Sequence, residues 1–187
     1  MNLLKSITIL CVFCLCCLSA VAQDVAMANL PTATLLSKTP IYSILESTNT
    51  SKVHKTLAEV LKATDLDNVL DSEGPFTVFA PSDAAFNSMS KEEMLHLLKP
   101  ENKEKLHNLL AYHIVAGNLS AAKILKALCN GKGKTTFTTV QGNKIYASMD
   151  GIDIVLKDSL GNEARIVKAD SKQCNGVIHT VDKVIRP

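Results

Sequence analysis

The first half of the chain carries apolar residues at helical spacing. Val53, Leu57, Val60 and Leu61 recur at the interval that places side chains on one face of an α-helix. Similar spacing, together with capping residues such as Ser120, predicts five further helices. These helices cover residues 40–46, 83–87, 91–98, 101–111 and 120–128, and residues 65–70 are predicted as a short turn.

The second half of the chain changes to a period of two, which is typical of β-strands. The predicted strands cover residues 135–140, 144–149, 152–156 and 164–169, and residues 112–116 are also predicted to be extended. Turn formers such as Gly142-Asn143 and Asp150-Gly151 separate the strands. A helical half followed by a meander of strands indicates an α+β fold.

Two further segments predict buried strands. Residues 76–80 form a short apolar run that Pro81 ends, and the helix that follows carries Phe86. In residues 177–185 apolar side chains fall on both faces of a period-two pattern, as in a strand that is covered on both sides. His179 lies on one of these apolar faces, so we expect it to be buried.

These two segments, with Tyr112 and His113 between them, closely resemble the sequence blocks of the fasciclin-type domain. The blocks read TVFAPSDAAF at residues 77–86 and NGVIHTVDKVI at residues 175–185. The resemblance covers residues 36–187 and implies a helical N-terminal half packed on a wedge of mostly antiparallel strands. It also implies structural roles for Thr77, Phe79, Pro81, Phe86, Gly176, His179 and Asp182.

The N-terminus predicts an exported protein. Lys5 precedes an apolar run over residues 7–18, and Ala20-Val21-Ala22 forms a small-x-small cleavage pattern. We therefore predict a signal peptide over residues 1–22, a flexible lead over 23–37 and the domain over 38–187. A membrane anchor is the alternative, but the run is shorter than the roughly 20 apolar residues that span a bilayer. The predicted location is extracellular or periplasmic, with no permanent membrane anchor.

Composition narrows the classes of partner. The 187 residues are 47% apolar and carry a formal net charge of +2, which fits one ordinary globular domain. Nucleic-acid binding relies on a clustered basic surface, which this charge balance does not predict. Asn49 and Asn118 begin glycosylation sequons, which matter only if the source glycosylates its exported proteins.

Only Cys129 and Cys174 lie beyond the predicted signal peptide. An exported chain with two thiols favours one disulfide between them, because the compartment is oxidising. Two buried free thiols that pack as small apolar groups are the alternative. Neither cysteine belongs to a spacing that predicts a metal site.

His113 and His179 are the residues that an enzyme would use as a base or a metal ligand. Their apolar neighbours favour a structural role instead, in which the ring nitrogens satisfy buried backbone groups. The chain lacks the nucleophile elbow and the zinc-protease motif. We therefore predict no catalytic residue, no metal ligand and no cofactor.

The resemblance implies a non-enzymatic module for cell adhesion or matrix binding, whose partner is a protein or a surface component. Tyr112, His113 and Ile114 are the predicted partner-binding residues, since the family's Tyr-His pair is credited with an adhesion patch. The sequence leaves open whether the protein forms a homo-oligomer. A carrier of a small apolar ligand in the same compartment is the alternative, and an enzyme is the third hypothesis.

Overall fold

A computed structural model describes residues 40–72 and 74–187 of the protein. The predicted signal peptide and lead lie outside these residues. The α-helices are α1 (Ile44–Thr50), α2 (Lys55–Ala63), α3 (Leu66–Leu70), α4 (Asp83–Asn87), α5 (Lys91–Leu97), α6 (Lys103–Ala111) and α7 (Ala121–Asn130). The strands are β1 (Phe76–Pro81), β2 (Ile114–Ala116), β3 (Lys134–Thr138), β4 (Lys144–Asp150), β5 (Asp153–Lys157), β6 (Glu163–Gln173) and β7 (Gly176–Val181). The predicted α+β class is confirmed.

Serine side chains begin several of the helices. The hydroxyls of Ser43, Ser82, Ser90 and Ser120 each accept a hydrogen bond from the backbone N–H three residues later. The Glu46 carboxylate in turn accepts a hydrogen bond from the Ser43 N–H at 2.8 Å, which completes a capping box. The sequence predicted that the first helix begins at Pro40. It begins at Ile44 instead, because the capping box at Ser43 sets its first residue.

Two helical predictions are wrong in detail. Val53 was expected on the apolar face of α2, but it precedes the helix and is 53% exposed. Residues 65–70 were expected as a turn, yet they contain α3, whose Leu66 and Leu70 are buried. Burial of these two side chains on one face stabilises a helix of a single turn that is too short to form alone.

The seven strands form one sheet in the order β2-β1-β7-β6-β5-β4-β3. Strands β1 and β7 are parallel, and all other neighbouring pairs in this sheet are antiparallel. The two sequence blocks thus lie side by side, with Phe79 opposite His179. Strand β6 is longer than predicted because its start pairs with β5 and its remainder, from Ile166 onward and through two register shifts, pairs with β7.

Gly176 permits the close approach of β1 and β7. Its φ angle is +153°, and a Cβ atom added there would lie 1.9 Å from the carbonyl oxygen of Phe76. No side chain fits at that distance, so only glycine allows the parallel pair to begin at this residue.

The β1–β7 pair separates two hydrophobic cores, as the two-faced alternation of the last strand predicts. The core on the side of α1 to α6 includes Ile44, Leu57, Leu110, Val78 and Ile178. The core beneath α7 includes Phe79, Ile124, Leu156, Val181 and Ile185. Both faces of β1 and β7 are therefore covered.

The predicted Cys129–Cys174 disulfide is absent from this structure, where both thiols are free and exposed. Helix α7 begins beside β6, where the Ala121 N–H donates to Asp170 at 2.8 Å, and packs against β3 toward its end. This direction carries Cys129 away from the β6–β7 turn that holds Cys174. The alternative of two buried thiols is also wrong. None of the helices within the described ranges is long and apolar enough to cross a membrane.

Candidate interaction surface

The side chain of His179 is fully buried. Its ring stacks on Phe79 with the centroids 5.7 Å apart. Nε2 donates to the Leu119 carbonyl oxygen at 2.7 Å, and Nδ1 accepts from the Asp170 N–H at 3.3 Å. Burial lowers the pKa of His179, although the Leu119 carbonyl and the Asp170 carboxylate act in the opposite direction. The neutral ring thus links β7 to the start of α7 and to the bulge of β6.

The His113 ring also joins separate segments through hydrogen bonds to backbone groups. Its Nδ1 donates to the Leu109 carbonyl oxygen at 2.8 Å, and its Nε2 accepts from the Ile185 N–H at 3.2 Å. Complete burial lowers the pKa of His113 to about 4. Both ring nitrogens are therefore occupied by backbone groups, in a form that stays neutral at physiological pH.

The predicted partner-binding residues do not form an exposed patch. Tyr112, His113 and Ile114 are each only 1% exposed. The Tyr112 hydroxyl donates to the Lys144 carbonyl oxygen at 2.7 Å, and burial raises the pKa of this phenol. Residues 112 and 113 also continue the hydrogen bonding of α6, so the strand begins only at Ile114. A folded domain cannot present these three side chains to a partner.

The other motif residues support the same framework. Buried Thr77 donates through its hydroxyl to the Gly117 carbonyl at 2.6 Å and accepts from the Leu119 N–H at 2.8 Å. Asp182 accepts from the Arg165 N–H at 2.7 Å, which joins the end of β7 to β6. Pro81 ends β1 opposite Val181, and Phe86 is buried in the core on the helical side. Their structural roles stay predictions, which these contacts support.

Sequence reasoning missed two polar residues that join separate segments, of which one is half-buried and one is buried. Asn175, the first residue of the second sequence block, accepts from the Ile44 N–H at 2.9 Å and donates to the Leu70 carbonyl at 2.6 Å. His54 is buried, and its Nε2 lies 3.3 Å from the Thr180 hydroxyl. Burial lowers the pKa of His54, against the attraction of Asp83. Neither residue belongs to an apolar repeat, so the pattern along the chain does not single it out.

The arrangement around His54 has the residue types of a hydrolase but not the required contacts. Ser51 Oγ lies 3.0 Å from His54 Nδ1, and Asp83 is near. The Asp83 carboxylate, however, accepts from the N–H groups of Lys55 and Thr56 instead of from the imidazole. A catalytic triad needs the carboxylate to orient the ring. Within the described residues, no group of three or more metal-binding side chains lies close enough to hold an ion.

Two of the open grooves on the described surface contain aromatic side chains in their lining. One, of about 480 Å³, lies between α2, α4 and α5 and is lined by Phe86, Met89, Met94, Leu95, Thr56, Asn87 and Lys91. The other, of about 470 Å³, lies on the outer face of β3, β4 and β5 and includes Tyr146, which is 46% exposed. Both volumes fall in the range of ligand sites in proteins. Tyr146 was also missed, although its outward place in the alternation of β4 could have identified it.

Comparison with known proteins agrees with the geometry. The fasciclin domain model matches residues 52–187. The protein sll1483 of Synechocystis is 37% identical over 78% of this chain and 73% of its own length. Human periostin is 31% identical over 78% of this chain, which spans 16% of periostin.

Among solved structures, a domain pair of the insect cell adhesion molecule fasciclin I has the same fold. The TM-score is 0.60 at 16% sequence identity, and the match covers 78% of this chain and 51% of that one. The fold, the pairing of the two motif strands and the family match agree, and the chain belongs to the fasciclin domain family.

Proposed function

We propose that the protein is an exported, non-enzymatic interaction module that binds a protein or matrix component in cell adhesion. The observation that carries the proposal is the state of the two motif histidines. Both rings are buried and neutral, and their nitrogens are occupied by backbone groups. The residues that define the family therefore build the framework, and binding falls to exposed side chains. Kinship with a cell adhesion molecule supports this use.

Export is part of the proposal, and its support is the sequence of residues 1–22. Lys5, the apolar run and the Ala-x-Ala pattern are the three parts of a signal peptide. We expect the mature chain to begin at Gln23. The intact mass of the protein recovered outside the cytoplasm tests this start, and a product that retains Met1 would contradict export by cleavage.

Attachment to cells tests the function directly. Beads coated with the purified protein are mixed with cells of the producing organism, and bound cells are counted. Beads coated with a heat-unfolded sample serve as the control. We expect attachment only to the folded protein, whereas equal attachment to both samples, or none, would overturn the proposal. A single copy links two surfaces only through two sites or by self-association, so light scattering of the same sample should show an oligomer.

A carrier of a small apolar ligand is the second candidate. The groove between α2, α4 and α5 favours it, because Phe86, Met89, Met94 and Leu95 give it an apolar lining. Solvent extraction and mass spectrometry of the purified protein separate the two functions. The adhesion proposal predicts no small molecule at a one-to-one ratio, and a stoichiometric lipid would favour the carrier.

A further inference from the structure

Strands β3 to β6 turn one face to the core and the other to solvent. Ile145, Ala147 and Leu156 point into the core beneath α7 and are buried. Among the alternate positions, Thr136, Tyr146 and Lys157 are exposed, Ser148 is half-buried and Val155 is buried. Because side chains alternate strictly along a strand, these positions share the outer face of the sheet.

The register aligns these outward side chains across the strands. Tyr146 lies between Thr136 on β3 and Lys157 on β5, and Lys134 lies opposite Ser148 in the next row. All five line the groove of about 470 Å³. We call it the Tyr146 groove. It combines one aromatic ring, two hydroxyls and two ammonium groups on paired strands, which hold their spacing better than a loop would.

The charges of the groove are mostly positive. Lys157 pairs with Glu163 at 2.8 Å, and both side chains are about half exposed. Lys134 has no ion-pair partner among the described residues, and neither has Lys144, which lies two residues before Tyr146 on the same face. The lining itself contains two ammonium groups and no carboxylate, and Asp150 and Asp153, farther along the same face, pair with Arg165. An anion is the complementary occupant.

We propose that the Tyr146 groove binds a segment of an acidic polysaccharide. The flat tyrosine ring offers an apolar surface to one sugar ring, and its hydroxyl remains free to donate or accept. Thr136 and Ser148 supply hydroxyls for the polar edges of the sugars. Lys134 and Lys157 donate charge-assisted hydrogen bonds to carboxylate or sulfate oxygens. This inference rests on the proposed function and names the chemistry of the partner.

A protein partner or a nucleic acid fits the same groove less well. Protein interfaces are centred on several buried aromatic or apolar anchors, whereas this groove has one tyrosine among polar side chains. A nucleic acid requires a longer basic track, which a net charge of +2 does not supply. A sugar polymer with spaced charges matches a single ring that is flanked by lysines.

Titration calorimetry with the purified chain tests the inference. The probes are polygalacturonate for carboxylates, dextran sulfate for sulfates and neutral dextran. We expect binding to at least one charged polymer, none to dextran, and weaker binding at higher ionic strength. Whichever charged polymer binds identifies the source of the anion.

Variants locate the binding in the groove. We expect Lys134→Ala with Lys157→Ala to weaken binding about tenfold. Lys62→Ala with Lys105→Ala removes the same charge from exposed helical positions and should change affinity by less than about twofold. Tyr146→Ala should weaken binding about fivefold while Tyr146→Phe retains it, because the ring supplies the contact. Circular dichroism confirms that each variant is folded.

The inference is overturned if neither charged polymer binds, if the two double variants lose affinity equally, or if Tyr146→Ala binds like the unaltered chain. The bead assay distinguishes failure of the polysaccharide inference from failure of the proposed adhesion function. Beads that attach cells while no polymer binds would leave the function standing with a different partner. Beads that fail while the polymer still binds would remove adhesion and keep the groove.

Discussion

The β1–β7 pair and the outer face of β3 to β5 are both built from strands, but their side chains meet different surroundings. On β7 even a histidine is enclosed, and its ring hydrogen-bonds to backbone groups of distant segments. On β4 the Tyr146 ring stands half exposed, with no such constraint. Most of the residues by which the family is recognised are thus buried. The family motifs and the groove that we propose for binding therefore lie in different regions, and substitutions in the two regions should have different effects.

Gly176→Ala should give the largest effect. A Cβ atom at 1.9 Å from the Phe76 carbonyl forces β1 and β7 apart at their first pair. We expect a loss of about 3 kcal/mol or more in the free energy of unfolding, measured by urea denaturation. Gly161→Ala is the matched control, because it also has a positive φ but has nothing within 4 Å. Gly161→Ala should lower the free energy of unfolding by only about 1 kcal/mol. Equal losses in the two variants would show that the positive φ angle, and not the close approach to Phe76, sets the effect.

His113→Ala should destabilise the fold by about 3 kcal/mol. It leaves the Leu109 carbonyl and the Ile185 N–H without partners at full burial and opens a cavity. Thermal and urea unfolding measure the change. Tyr146→Ala, an aromatic truncation of similar size on the outer face, is the comparison. An unchanged midpoint for His113→Ala would contradict the structural role of this ring.

Stability should fall on acidification below about pH 6.5. The pKa of His113 is 6.5 in the unfolded chain and about 4 in the folded one, so the unfolded chain binds protons more readily between these values. The stabilising contribution is complete above pH 6.5 and is lost as the pH falls toward 4. His113 alone should account for about 2 kcal/mol between pH 6.5 and pH 5.

The lowered pKa values of His179 and His54 act in the same direction. Urea denaturation at several pH values gives the dependence of the unfolding free energy on pH. The slope of the unfolding free energy against pH reports how many more protons the unfolded chain binds than the folded one. In His113→Gln this difference should be smaller by about one proton. A variant with the unaltered slope would show that His113 is not the group that titrates.

Substitutions on the outer face should have the smallest effect on stability. Lys134→Ala and Tyr146→Ala should each change the free energy of unfolding by no more than about 0.5 kcal/mol, because exposed side chains lose few contacts. Urea denaturation alongside His113→Ala measures the contrast. A loss of more than about 1 kcal/mol at Tyr146 would mean that the outer face also stabilises the fold.

Much of the framework could be read along the chain because it depends on local patterns. The period-two alternation of residues 177–185 predicted a strand covered on both sides, and two cores enclose it, although the strand ends at Val181. Helices α4 to α7 and the meander of β3 to β6 follow the predicted order. Boundaries were less accurate where distant contacts decide them, as at the end of β6, which pairs with β7.

The sequence by itself determined the family, the α+β class and the burial of His179, because motif blocks and apolar periodicity are properties of neighbouring residues. Only the tertiary structure decided that Tyr112, His113 and Ile114 are enclosed and that Cys129 and Cys174 stay apart. It also decided that Thr136, Tyr146 and Lys157 form one row. Exposure and proximity depend on which segments pack against each other, and strand register joins residues that are separated in the chain.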